Sequence, residues 1–230
     1  LATAPAIMGN VVLFKPASSA VFPAYVLYRT LREAGLPPGV INFVAGQGKS
    51  VGKVALKHPQ LGGIHFTGST STFIQMWKEV SENIGNYVSY PRLVGETGGK
   101  DFIFIHSSAD VEAAVTAIVR GAFEYQGQKC SAVSRLYCPS DMWPKLKERL
   151  LETLANVKMG SPTDFKNFVN AVIDKAAFDK IVSYIEFAKS SEDTEIIFGG
   201  RAEDEKGYFV EPTVVLTGNP KSKLMEEEIF

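Results

Sequence analysis

The strongest constraint on what this chain can fold into is a repeated switch of hydrophobic period. Short β-branched runs alternate with amphipathic stretches: residues 11–15, then 19–34 closed by Gly35 and Pro37, then 40–44. A helical stretch near 50–57, a strand at 63–66 and a helix over 69–83 continue the alternation. Strand, helix, strand in succession predicts right-handed crossovers and a parallel sheet, hence an α/β fold. The run GETGGK at 95–100 breaks the pattern, and the expected domain boundary falls there, giving segments 1–97 and 98–230. The second segment reads as a strand at 101–106, a helix over 109–125, a strand at 134–138, a charged helix over 141–157, a helix over 175–189 and strands at 195–198 and 209–216. No internal repeat or low-complexity tract interrupts it.

Composition narrows the function classes. With 45% hydrophobic and 21% charged residues, the 230-residue chain has the make-up of a globular protein able to bury one large or two modest cores. A net charge of −1 leaves no polybasic footprint for nucleic acid or anionic lipid. No apolar run reaches the ~18 residues of a membrane span. The opening LATAPAIMGN has neither a basic leader nor an initiator methionine, and EEIF ends without a cap, so the chain reads as an internal piece of a longer protein. Only two cysteines occur, Cys130 and Cys138, which points to a reducing compartment and no secretion. His58, His65 and His106 show no zinc spacing, and no metal is expected.

Two residues carry candidate chemistry. Cys130 lies in FEYQGQKCSA between polar and small residues, and Glu96 lies upstream in a glycine-rich turn; a thiol nucleophile and a water-activating base have this make-up. On local pattern alone, an isolated cysteine is more often a small buried hydrophobe, and a glutamate among glycines a solvated loop residue. The Cys130 backbone amide is a candidate oxyanion donor, and Lys129 stands close in sequence to the thiol. Cys138, followed by Pro139, reads as a core thiol, and Gly98 and Gly99 as turn residues without chemistry of their own. No Gly-x-Gly-x-x-Gly fingerprint is present. Instead, Phe66-Thr67-Gly68-Ser69 stands at a strand-to-helix junction, where Gly68 permits a close turn and Ser69 either caps the helix or meets a phosphate there. Lys15 reads as a solvated strand end or a ligand donor, and residues 226–228 as a solvated acidic cluster.

GETGGK and GQKCSA together resemble the aldehyde dehydrogenase superfamily, and YPRLVGETGGKDF, AFEYQGQKCSA, VNAVID and GYFVEP are similar to its pyrroline-5-carboxylate dehydrogenase branch. The resemblance covers nearly the whole chain. It implies a Rossmann-like parallel-sheet NAD-binding lobe and an α/β catalytic lobe, with Cys130 forming a thiohemiacetal and a thioester and Glu96 activating the hydrolytic water. Gly68 and Ser69 would meet the pyrophosphate of NAD, Lys15 the adenosine ribose, and Glu228 and Phe230 the nicotinamide riboside. Ser18 falls where NAD-selective members often carry an acid, which leaves room for NADP. Phe73 replaces a glycine common in the wider family, as in the pyrroline-5-carboxylate branch. Lys129 and Ser131 would face the substrate. The implied reaction oxidises glutamate γ-semialdehyde to glutamate in proline breakdown, by a homo-oligomer of the mitochondrial matrix or the bacterial cytoplasm acting on a small aldehyde. The resemblance also places an oxyanion asparagine and a carboxylate clamp outside these residues, so the stretch alone is expected to turn over poorly. Three other readings stay open: another semialdehyde dehydrogenase, a cysteine hydrolase or acyltransferase using His65 or His106, and a noncatalytic dinucleotide-binding module.

Overall fold

A computed structural model describes residues 1–230, which divide into two compact units, Leu1–Gly98 and Gly99–Phe230. The first unit runs α1 (Thr3–Ile7), β1 (Val12–Phe14), a 3-10 turn, α2 (Val21–Glu33), β2 (Ile41–Phe43), α3 (Gly48–Ala55), β3 (Gly63–Thr67), α4 (Thr70–Glu82), a second 3-10 turn and β4 (Arg92–Glu96). β1 pairs with β2 in parallel through the α2 crossover, and β3 with β4 through α4. Parallel pairing is therefore as expected, carried on two separate ladders.

Aromatic packing joins α2 to its strands. The Phe43 ring lies 5.8 Å from Phe14, 5.6 Å from Tyr25 and 5.7 Å from Tyr28, beside the buried Ile41. Gly35, at φ +100°, takes the left-handed conformation that ends α2, and its amide donates to the Arg32 carbonyl. Strand β4 was missing from the sequence expectation. Its run Arg-Leu-Val-Gly-Glu holds two charges and a glycine that suppress the strand signal, and tertiary pairing with β3 supplies what local propensity lacks.

The second unit runs β5 (Phe102–Phe104), α5 (Val111–Phe123), a 3-10 turn, β6 (Arg135–Tyr137), α6 (Trp143–Ala155), α7 (Lys175–Ser190), β7 (Thr194–Phe198), β8 (Ala202–Glu203), β9 (Phe209–Val210), β10 (Val214–Thr217) and α8 (Lys223–Glu226). Helix starts follow capping chemistry: Asp110 accepts from the Ala113 amide at 2.8 Å and Asp174 from the Ala177 amide at 2.9 Å. The core forms where α5 meets α6, with Val115, Ile118 and Val119 against Leu146, Leu150 and Leu154, closed by Ile105. These apolar positions recur every three or four residues, so each helix buries one stripe.

β5 and β6 pair in parallel, whereas β7 with β10 and β8 with β9 are antiparallel. The single strand expected over 209–216 is two. Pro212 lacks a backbone N–H, and the chain leaves β9 for a different partner in β10, with an irregular register at Val214 and Val215. The helix expected to reach residue 125 ends at Phe123, because Tyr125 and Gln126 turn left-handed.

Candidate active site

In the first unit, the β3–β4 ladder brings two of the expected site segments together. Thr67 stands opposite Glu96 in register, and the Gly68 amide donates to the Glu96 carbonyl at 3.1 Å. Glu96, the last residue of β4, is thus anchored by its backbone while its side chain is exposed. Ser69 caps α4: its Oγ accepts from the Thr72 amide at 3.2 Å and lies 2.8 Å from Thr72 Oγ1 and 3.1 Å from Ser71 Oγ. A cluster of hydroxyls therefore sits at the positive end of a 13-residue helix.

Gly68 is glycine for a reason other than a turn. A Cβ there would stand 2.5 Å from the Phe66 ring, and its φ is not positive. Phe66 stacks on Phe73 at 6.0 Å, and Phe73 meets Trp77 edge-on at 5.8 Å. The Phe73 ring fills the space a side chain at Gly95 would occupy, since a Cβ there would fall 2.5 Å away. Phe73 thus packs beside the residue that precedes Glu96. At the end of β1, Lys15 Nζ donates to the Pro16 carbonyl at 2.5 Å, and Ser18 opens the exposed 3-10 turn before α2.

In the second unit, Cys130 is exposed, in a turn where the Ala132 amide donates to the Lys129 carbonyl at 3.1 Å. The chain reaches this turn through three successive left-handed residues, Tyr125, Gln126 and Gly127, at φ 55°, 59° and 68°. Each non-glycine in that region costs roughly 1–2 kcal/mol. Two glutamine side chains hold the stretch: Gln126 Oε1 accepts from the Asn170 amide at 3.0 Å and Gln128 Oε1 from the Ile173 amide at 2.9 Å. Lys129 pairs with Glu124 at 3.7 Å, an exposed ion pair at the rim of the turn, and Ser131 is exposed.

Gly99 is where Cys130 and Glu228 meet. Its amide donates to Glu228 Oε1 at 3.2 Å, and a Cβ on it would lie 3.0 Å from the Cys130 carbonyl oxygen. The sequence expectation gave Gly99 no role beyond the turn; the structure has it hold the Glu228 carboxylate and make room for the Cys130 carbonyl. The acidic run 226–228 is correspondingly not a free solvated cluster. Glu227 accepts from the Tyr184 hydroxyl at 2.6 Å, and burial together with this bond pushes the Tyr184 phenol up to about 12. A cavity of about 300 Å³ within this unit is lined by Gly99, Gln126, Lys129, Glu228 and Phe230 together with apolar core residues.

Lys100 was not singled out by its sequence. Its Nζ donates to Ser134 Oγ and, at 2.9 Å, to the Leu224 carbonyl, tying the start of β5 to the approach of β6 and to α8. Burial, with Arg135 nearby, brings its ammonium down to about 8, an effect Glu228 opposes. The histidines have local partners: His58 accepts from the Gln60 amide, His65 faces the Leu1 carbonyl, and His106 bonds Ser108. Cys138 is half-buried against the core, and desolvation pushes its thiol up. No group of three or more His, Cys, Asp or Glu side chains is placed to hold a metal.

The chain is 54% identical over 232 residues to the mitochondrial Δ1-pyrroline-5-carboxylate dehydrogenase of Dictyostelium discoideum, covering 100% of this chain and 42% of that protein. It is 50% identical over 231 residues to the human mitochondrial enzyme of the same name, covering 100% of this chain and 41% of that protein. The NAD-bound crystal structure of the Mycobacterium tuberculosis Δ-pyrroline-5-carboxylate dehydrogenase matches with a TM-score of 0.92 at 51% identity, over 96% of this chain and 41% of that one. The chain thus spans about two-fifths of the length of these relatives. The profile of the aldehyde dehydrogenase family matches residues 1–230, and the chain belongs to that family.

Proposed function

We propose that this chain is the dinucleotide-binding and nucleophile-bearing portion of an NAD-dependent dehydrogenase that oxidises glutamate γ-semialdehyde, formed from pyrroline-5-carboxylate, to glutamate. The observation that carries the reading is identity of about half the residues, across the whole chain, with proteins of that named activity. In this reading residues 1–97 belong to the NAD-binding domain and 98–230 to the catalytic domain.

The donor set of the first unit fits NAD. Beyond the Thr72 amide that Ser69 caps, the first-turn amides of Thr70 and Ser71 have no intrahelical partner, and with the hydroxyls of Ser69 and Ser71 they suit a pyrophosphate. Lys15, whose Nζ here donates to the Pro16 carbonyl, would donate to ribose hydroxyls, and Ser18 brings no carboxylate to repel a 2′-phosphate, so NADP would be tolerated. In the second unit Glu228, held by the Gly99 amide, would accept from the nicotinamide ribose, and Phe230 would lie near the ring. When bound, NAD supplies the hydride acceptor.

The residues of the chain do the rest. The Cys130 thiolate adds to the aldehyde carbon, and a C–S bond forms. Its own backbone amide donates to the oxygen that becomes negative. Loss of hydride leaves a thioester on Cys130. Glu96 takes a proton from water, the water oxygen bonds to the acyl carbon, and the C–S bond breaks to restore the thiolate and release the carboxylic acid, which gives up its remaining proton to solvent. Lys129 and Ser131 flank the substrate end. The protein acts as a homo-oligomer, in the mitochondrial matrix if eukaryotic and in the cytoplasm if bacterial; the eukaryotic relatives carry the word mitochondrial in their names, which supports the organelle. No helix is long and apolar enough to cross a membrane.

The test is NAD reduction by the full-length protein with pyrroline-5-carboxylate, succinic semialdehyde and a simple aliphatic aldehyde, for wild type and Cys130→Ser. Preference for the first substrate, abolished by the substitution, is expected. Preference for another aldehyde moves the protein to a different branch, and activity retained by the serine variant overturns the mechanism.

A further inference from the structure

Cys130 stands on a turn whose shape its own residues disfavour. Tyr125 and Gln126 are both left-handed without being glycine, and Gly127 follows in the same region, pressed so close to the Ala122 carbonyl that a Cβ would lie 2.7 Å from it. Left to local preference, these residues would return to right-handed or extended backbone. Outside help comes from the segment 169–173. Gln126 and Gln128 straddle Gly127, and their side-chain oxygens land on the Asn170 and Ile173 amides, three residues apart.

That segment is a firm support. Val169 and Val172 are buried, Asn170 Nδ2 donates to the Gly160 carbonyl at 2.9 Å, and the Val172 amide donates to the Tyr208 carbonyl at 2.8 Å. On the far side of the cysteine, the Val133 amide donates to the Gly121 carbonyl at 2.9 Å, so the return path is tied to α5. The approach, 125–129, has one backbone bond of its own, from the Gln128 amide to the Tyr125 carbonyl at 3.1 Å, and its ties to the rest of the unit are the side-chain braces.

We propose that Gln126 and Gln128 are positioning residues for Cys130, holding the left-handed approach turn against the 169–173 segment so that the thiol is presented in one orientation. The inference rests on Cys130 being the nucleophile of the proposed reaction. It deepens that reading by assigning thiol placement to residues outside the reacting set. Both braces use the glutamine carbonyl oxygen as acceptor, because an amide N–H is the donor in each. Gln126→Glu therefore keeps its brace and Gln126→Met, of similar length, loses it.

The experiment uses the full-length protein with Gln126→Glu, Gln126→Met, Gln128→Met and Cys130→Ser. It measures kcat and KM for aldehyde oxidation, NAD affinity, and the rate at which iodoacetamide alkylates Cys130, with the serine variant as background. Loss of a brace is expected to lower kcat by about tenfold or more, as for a nucleophile displaced by a fraction of an ångström to 1 Å. NAD affinity is expected to stay within about twofold, Gln126→Glu to retain kcat within about threefold of wild type, and the Met variants to alkylate at an altered rate. If Gln126→Met does not fold, Gln128→Met provides the same test at the second brace. Wild-type kcat in both Met variants, or equal damage by Glu and Met at 126, overturns the inference and leaves the proposed function standing. Activity in Cys130→Ser overturns both.

Discussion

Lys100→Met should reveal a partly buried ammonium through the pH dependence of stability. The lysine is half-buried, beside Arg135, and its charged form is penalised enough to bring its pKa from 10.5 to about 8. At roughly 1.4 kcal/mol per tenfold, that fall corresponds to about 3 kcal/mol, and solvent screening of a half-exposed group reduces it to about 1–2 kcal/mol. The sign follows from proton counting. Between about pH 8 and 10.5 the unfolded chain holds a proton on Lys100 that the folded chain has released, so stability from this group rises with pH. The penalty is fully present below pH 8 and is gone above 10.5. Methionine keeps the length of the stem but carries no charge, and it loses the bonds to Ser134 and the Leu224 carbonyl at every pH. The stability of wild type relative to Lys100→Met should therefore grow by about 1–2 kcal/mol as pH rises through that window. Urea unfolding of both full-length proteins across it provides the measurement, because the difference cancels titrations common to the two. A gap that stays flat, or closes with rising pH, refutes the argument that burial dominates at Lys100.

Two further outcomes test the packing and capping of the second unit. Leu150→Ala empties a site that is 1% exposed in the α5–α6 core, and a loss of about 2–5 kcal/mol in urea unfolding is expected; a loss below about 1 kcal/mol contradicts the core. Asp174→Ala removes the cap that accepts from Ala177 at α7 and should cost about 1 kcal/mol, with Asp174→Asn losing less; equal loss in both refutes the cap's hydrogen-bonding role.

What was legible in the sequence had a local cause. The α4 start at Ser69, the end of α2 at Gly35 and the parallel β1–β2 pair follow from capping chemistry and from period, both properties of neighbours in the chain. Strand β4 and the division at Pro212 were missed because each is decided by a pairing partner far along the chain. The candidate site residues Cys130 and Glu96 stood out because their flanking strings resemble one family. The side-chain bonds of Gln126 and Gln128 did not, since both meet their partners more than forty residues later.

The glycines around Glu96 show why a motif can be legible while its reason is not. GETGGK reads as flexible punctuation, the usual meaning of clustered glycines. Yet Gly95, Gly98 and Gly99 all avoid positive φ, so left-handed freedom is not what they supply. Gly95 makes room for the Phe73 ring, and Gly99 for the Cys130 carbonyl while its amide holds Glu228. A Cβ at either would displace a ring or a backbone atom, and neither constraint depends on the chain being mobile. Space and one unencumbered amide are what these two positions require, and both requirements come from residues that sequence distance hides: Phe73 precedes the motif, and Cys130 and Glu228 follow it. The same logic explains the aromatic at 73. A ring there suits a glycine at 95, so the two positions form one steric unit beside Glu96, and a substitution at either is best judged against the other.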